Sequence, residues 1–115
     1  MFLFGKNLLN EVAYVAEVGV NHEGSPETAA ELIRLAAESG ADAVKLQTYT
    51  PERYASATDA ERLARVARFS LDESALRELA QEASLIGIPL FSSALSEDVV
   101  PLLGDLFPAI KIASG

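Results

Sequence analysis

The chain has 115 residues, room for one domain of ordinary size, and half of them are hydrophobic, which excludes disordered and collagen-like classes. Seventeen acids against nine bases give a formal charge of −8, so a phosphate backbone would be repelled and a general nucleic-acid role is excluded. There is no cysteine, which removes disulfide scaffolds, thiolate metal sites and cysteine nucleophiles together. No apolar run approaches the roughly 20 residues that span a bilayer. Met1-Phe2-Leu3-Phe4 is apolar but short, has no basic region before it and is soon broken by Asn10-Glu11, so it does not read as a signal peptide. The composition predicts a soluble, acidic, cytoplasmic α/β protein that engages neither nucleic acid nor membrane.

Val12 to Val20 is the first strand candidate, an apolar run interrupted by Glu17 and Gly19. Asn21-His22-Glu23-Gly24 is a turn, after which Ser25 and Pro26 open a helix as N-cap and first helical residue. Ala29, Leu32, Ile33, Ala36 and Ala37 share one face of that helix, and Gly40 ends it. Ala43 to Thr48 is the second strand. Pro51 to Phe69 starts polar and becomes weakly helical from Asp59 to Arg68, as an excursion or lid would. Ser70-Leu71-Asp72-Glu73 reads as a capping box for a stronger helix, with Leu71, Ala75, Leu76, Leu79, Ala83 and Ile86 on its apolar face and Gly87 at its end. Ile88 to Ser92 is the third strand. Ser96 to Leu103 is a short helix that Pro101 should distort. Ile110 to Ala113 is the fourth strand.

This β-α-β-α-β-α-β order suits parallel strands. A flavodoxin-like open sheet would place the strands in the order 2-1-3-4 and needs about five of them. A (β/α)8 TIM barrel keeps them sequential and needs about 250 residues, roughly twice the length here. The barrel reading is therefore of a first half only, with about four strands and three helices.

Polar residues inside the strands carry the functional signal. Side chains alternate along a strand, so Glu17, Lys45, Gln47 and Lys111 stand opposite apolar sets destined for the helices. In a barrel their side is the interior, where ionised groups need one another or a ligand. Structural ion pairs would satisfy them; so would an anionic substrate. Glu17, Gln47, Thr48, Ser92, Ser93 and Ser114 lie late in their strands or just past them, the end where α/β folds bind ligands. His22 is the only histidine and has no partner for a metal site, so stabilising the turn is its preferred role, with a substrate contact as the other. Glu61, Arg62, Arg65 and Arg68 read most simply as a solvated helix face.

Three motifs, Ala16-Glu17-Val18-Gly19-Val20-Asn21-His22-Glu23-Gly24-Ser25, Gly40-Ala41-Asp42-Ala43-Val44-Lys45-Leu46-Gln47-Thr48 and Lys111-Ile112-Ala113-Ser114-Gly115, closely resemble the sialic acid synthase family. That family includes N-acetylneuraminate, legionaminate and pseudaminate synthases and related spore-coat polysaccharide proteins. The resemblance implies a TIM barrel followed by an antifreeze-like domain, of which residues 1–115 match the first half of the barrel. It implies condensation of phosphoenolpyruvate with an N-acylated hexosamine such as N-acetylmannosamine, with release of phosphate. Lys45, Ser93, Lys111 and Ser114 would hold phosphoenolpyruvate, and Gln47 would contact the sugar or the phosphoenolpyruvate. Glu17 would sit by the sugar and a divalent metal, Mn2+ or Mg2+, and handle the proton of the attacking water. The family's metal-binding histidines fall in the second half of the barrel, so no metal ligand is assigned in this chain; the parent is expected to be a homodimer. Ser92-Ser93-Ala94-Leu95 departs from the family's Ser-Thr-Pro-Phe and lacks its rigid proline turn.

Two other readings compete. One is a sibling phosphoenolpyruvate-condensing synthase making 3-deoxy-sugar acids, against which Asn21-His22-Glu23-Gly24 favours the sialic acid branch. The other is a non-catalytic half-barrel that pairs with a partner chain. The half-barrel geometry predicts that Lys45 and Lys111 converge on one anion site. It also predicts that Val15, Ala43 and Leu90 stand exposed on the inward face, and that the isolated chain self-associates without synthase activity.

Overall fold

The alternation of β-rich and helical stretches folds, over the described residues 1–114 of this computed structural model, into one parallel sheet with helices on one side. A short hairpin comes first, β1 (Phe2–Leu3) and β2 (Lys6–Asn7), an element absent from the sequence reading. The main sheet runs β3 (Val15–Glu17), β4 (Ala43–Thr48), β5 (Leu90–Ala94) and β6 (Ile110–Ile112), all parallel and in sequential order. That order is the barrel order and rules out the 2-1-3-4 alternative. Gly115, the last residue of the third motif, lies outside the described residues.

Strand β3 is much shorter than the run from Val12 to Val20. Tyr14 reaches β4 only through its ends: its N–H donates to the Asp42 carboxylate at 2.8 Å and its carbonyl accepts from the Asp42 N–H. The Val18 N–H donates to the Lys45 carbonyl, and beyond that the chain turns away. β5 starts two residues later than expected, at Leu90, because Ile88 closes the preceding helix by donating its N–H to the Ala83 carbonyl.

The helices follow their caps. α1 (Pro26–Glu38) starts as read, with the Ser25 hydroxyl accepting from the Thr28 N–H and Pro26 in the first turn. α2 (Pro51–Tyr54) and α3 (Ala60–Phe69) form the excursion after β4, and the Asp59 carboxylate caps α3. α4 (Glu73–Ile86) corrects the capping-box assignment. Its N-cap is Asp72, whose carboxylate accepts from the Ala75 N–H, while the Ser70 hydroxyl donates back to the Ala67 carbonyl and finishes α3. A 3-10 turn (Glu97–Val99) leads into α5 (Val100–Leu106), which puts Pro101 in the first turn, where its missing N–H costs little. The expected distortion is this preceding 3-10 turn.

Val44, Leu46 and Leu90 on the sheet meet Ile33 of α1, Leu76 and Leu79 of α4 and Leu103 of α5 in one buried core. The opposite face carries Val15, Glu17, Ala43, Lys45, Gln47, Phe91, Ser93 and Lys111 by register. The hairpin seals its amino-terminal end: the Phe4 ring packs on Phe91 with centroids 5.0 Å apart, and Lys6 pairs with Asp42 at 3.6 Å. Exposure of the inward face is accordingly uneven. Val15 is 42% exposed as expected, but Ala43 is fully buried, and Leu90 pairs with Val44 on the helix-covered face. The register of β5 on β4, with Leu90 opposite Val44 and Phe91 opposite Lys45, sets that parity, so Phe91 rather than Leu90 points inward.

Candidate active site

Strand parity divides the polar residues at the carboxyl end of the sheet into two groups. Thr48 and Ser92 face the helices, both buried, and their hydroxyls hydrogen-bond each other at 2.8 Å. They are structural, which corrects their place among the ligand-facing candidates. Glu17, Lys45, Gln47, Ser93 and Lys111 share the open face.

Lys45 is the centre of that group. Its side chain is only 11% exposed, and its ammonium makes a 2.7 Å ion pair with Glu17 and donates to the Ser93 hydroxyl at 2.9 Å. A buried ammonium is costly without such partners. Two of its three N–H donors are used and the third remains for a further acceptor. Glu17, by contrast, is half exposed, so its carboxylate stays open to solvent and ligand while it holds the lysine.

Gln47 is placed by a glycine. Its side-chain amide donates to the Gly19 carbonyl at 3.2 Å, and a Cβ on Gly19 would lie 2.9 Å from Gln47 Cγ and 3.2 Å from its backbone nitrogen. Lys111 stands across from Ser93 in register but is exposed, and its ammonium bends to the Ile112 carbonyl at 3.3 Å. The two lysines therefore flank Ser93 on one face, yet the Lys111 ammonium turns to its own strand. Ser114 follows β6 and is exposed; no hydrogen bond ties it to the cluster among the described residues.

His22 is 1% exposed. Its Nδ1 accepts the Gly24 N–H at 2.9 Å, so it stabilises the turn, and burial holds its pKa below the ordinary histidine value. Nε2 is buried without a partner among the described residues. No three His, Asp or Glu side chains gather into a metal seat among those residues, Glu17 is a single carboxylate, and His22 is closed off. The residues present do not fit a divalent metal by themselves.

The sequence reading missed a clasp beside this cluster. The Thr50 N–H donates to Ser96 Oγ at 3.0 Å, and the Thr50 hydroxyl donates to the Asp98 carboxylate, which Arg53 approaches at 3.8 Å. These bonds tie the loop after β4 to the turn after β5. The Thr50 and Ser96 hydroxyls also keep the Asp98 carboxyl below its usual pKa. Thr50 and Asp98 are 48 residues apart, and no local pattern announces such a pairing.

Sequential parallel strands covered by helices on one face follow the order of a β/α barrel. The NeuB family model matches residues 32–115, and the chain belongs to that family. It is 33% identical over 121 residues to N,N'-diacetyllegionaminic acid synthase of Campylobacter jejuni, covering 93% of this chain and 36% of that protein. It is also 33% identical over 117 residues to the human N-acetylneuraminate-9-phosphate synthase, covering 88% of this chain and 32% of that protein. Among solved structures, the N-acetylneuraminic acid synthetase of Leptospira borgpetersenii superposes with a TM-score of 0.83 at 25% identity, over 90% of this chain and 36% of that one. The chain thus spans about a third of the length of the curated relatives it matches. No helix among the described residues is long and apolar enough to cross a membrane.

Proposed function

We propose that this segment supplies the phosphoenolpyruvate-binding part of a sialic-acid-type synthase that condenses phosphoenolpyruvate with an N-acylated hexosamine and releases phosphate. The observation that carries the reading is Lys45, a buried ammonium held between Glu17 and Ser93 with one donor left, at the ligand end of a NeuB-family sheet. In this reading the free Lys45 donor and Lys111 take the carboxylate and phosphate oxygens of phosphoenolpyruvate, with the Ser93 and Ser114 hydroxyls beside them. Gln47, fixed against Gly19, contacts the sugar. The new carbon–carbon bond forms between the methylene carbon of phosphoenolpyruvate and the aldehyde carbon of the sugar. Water adds to the adjacent carbon and Glu17 accepts one of its protons. The carbon–oxygen bond to phosphate breaks, phosphate leaves with its bridging oxygen, the added hydroxyl loses its remaining proton to become the keto oxygen, and the former aldehyde oxygen takes up a proton to become a hydroxyl. A divalent metal, Mn2+ or Mg2+, would supply Lewis-acid polarisation of the aldehyde in the parent, and the described residues do not seat it by themselves.

The test uses a full-length protein that carries this segment. Lys45→Met should raise the KM for phosphoenolpyruvate by at least about tenfold and leave that for the sugar nearly unchanged, because one charge-assisted contact is lost. Glu17→Gln should keep the fold and lose about 100-fold or more in kcat, the usual worth of a positioned base. An unchanged KM in the first variant and wild-type kcat in the second would return the cluster to a structural ion pair.

A further inference from the structure

The carboxyl ends of β4 and β5 are fastened differently on their two faces. Toward the helices, the Thr48 and Ser92 hydroxyls bond each other at 2.8 Å, and the Leu95 N–H donates to the Thr48 carbonyl. On the open face the last facing pair is Gln47 with Ser93. No side-chain bond joins those two among the described residues, because the Gln47 amide turns to the Gly19 carbonyl. The Ser93 hydroxyl is met only by Lys45, whose ammonium donates to it at 2.9 Å. A lysine stem is flexible and does not by itself fix the oxygen it reaches. The place of Ser93 must be set from elsewhere.

The clasp stands where it can do so. Thr50 and Ser96 each lie three residues past a member of the Gln47–Ser93 pair, and the Thr50 N–H donates to Ser96 Oγ at 3.0 Å. The Thr50 hydroxyl donates to the Asp98 carboxylate, so one residue grips the segment after β5 at two points. Because the Thr50 and Ser96 hydroxyls hold the Asp98 carboxyl below its usual pKa, this acceptor stays ionised throughout the neutral range. None of the three bonds directly to Glu17, Lys45 or Lys111 among the described residues. Their effect on the site therefore runs along the backbone to Ser93.

We infer that Thr50 is a positioning residue: its grip on Ser96 and Asp98 sets the Ser93 hydroxyl against Lys45, and with it the affinity of that pair for an anionic substrate. Ser93 takes the Lys45 N–H on its oxygen and keeps its own O–H to donate to the ligand. The identity of the anion as phosphoenolpyruvate rests on the function proposed above; the link from Thr50 to Ser93 rests on the hydrogen bonds.

The experiment uses a full-length protein that carries this segment. Thr50→Val keeps the side-chain shape and the backbone N–H and removes the hydroxyl, whereas Thr50→Ser keeps the hydroxyl. Thr50→Val should raise the KM for phosphoenolpyruvate at least about threefold and leave that for the sugar unchanged, and Thr50→Ser should stay near wild type. Asp98→Ala, at an exposed position, should show the same split. In a Ser93→Ala background Thr50→Val should add nothing, because the hydroxyl it positions is gone. With isotope-labelled lysine, the Lys45 Nζ resonance, assigned by its loss in Lys45→Met, should move in Thr50→Val and return in Thr50→Ser. An unmoved resonance, equal rises in both KM values, or effects of Thr50→Val and Ser93→Ala that simply multiply would overturn the inference. So would a phosphoenolpyruvate KM that Lys45→Met raises and Thr50→Val does not. If Lys45→Met itself leaves that KM unchanged, the proposed function falls, and the Nζ resonance still decides whether Thr50 places Ser93.

Discussion

His22 shows how one residue ties a turn to the solution pH. Its Nδ1 accepts the Gly24 N–H, so the neutral ring carries its proton on Nε2, and protonation would set two donors against each other. Burial lowers its pKa below 6.5. As the pH falls, the unfolded chain therefore takes up this proton before the folded one does. Stability from His22 is fully present above about pH 6.5, declines below it, and levels off once the pH passes the folded value. The slope in that window should not exceed about 1.4 kcal/mol per pH unit, the limit for one proton. Urea unfolding between about pH 7 and 5 would show it, and His22→Gln should flatten it. Equal slopes in both proteins would assign the decline to the carboxylates. Among the site residues, Glu17 and Lys45 were legible because a charge within an apolar strand demands a partner. Ser92 and Ser93 were not separable, because adjacent strand residues face opposite sides and the pairing of β5 on β4, Ser92 opposite Leu46 and Ser93 opposite Gln47, is a long-range register.

Capping chemistry at the level of elements was only half legible, since Ser70-Leu71-Asp72-Glu73 offers two competent N-caps two residues apart. The structure gives Asp72 to α4 and Ser70 to the end of α3. Asp72→Ala should then cost about 1 kcal/mol, the usual worth of an N-cap, and Ser70→Ala clearly less. Thermal or urea unfolding of the two variants decides, and the opposite ranking would restore the capping box. The join between β3 and β4 gives a second test. Gly19→Ala would press a methyl onto Gln47 Cγ and, harder to relieve, onto its backbone nitrogen. Overpacking of this kind costs about 1–3 kcal/mol. The Gln47 side-chain amide resonances should shift as well, because its bond to the Gly19 carbonyl must move. A stable variant with an unmoved Gln47 amide would show that the loop yields instead. The clasp from Thr50 to Ser96 and Asp98 bridges two loops that follow neighbouring strands.

For the molecule as a whole, parallel pairing was legible because helix-length connections between short apolar runs favour right-handed crossovers, whereas the preference for the sequential order over 2-1-3-4 needed the family resemblance as well. The amino-terminal hairpin was not, since β1 and β2 are two residues each and too short to show a period. Its consequence is physical: Phe4 on Phe91 closes one end of the open face and leaves the ligand end free. Among the described residues β3 and β6 each pair with one neighbour, so both edges of the sheet offer unbonded N–H and C=O groups. Beside the β6 edge lies an apolar groove of about 510 Å³, lined by Ala94, Leu95, Val100, Ile110 and Ile112, with Ile112 itself 89% exposed. An open parallel edge next to exposed apolar surface invites another chain. The 115-residue polypeptide should therefore self-associate. A charge of −8 opposes this at low ionic strength, so association should strengthen as salt screens the repulsion. Sedimentation velocity over a concentration series in low and moderate salt would measure it. Ile112→Lys, which adds a charge to the groove without touching the core, should shift the distribution toward monomer. On the function proposed above, a phosphate-release assay with phosphoenolpyruvate, N-acetylmannosamine and manganese should show no turnover in any of these states, because a second copy supplies edges and apolar cover but adds no kind of site residue that the first copy lacks. A monomer at all concentrations would refute the edge argument, and sugar-dependent phosphate release would place a complete active site within these residues.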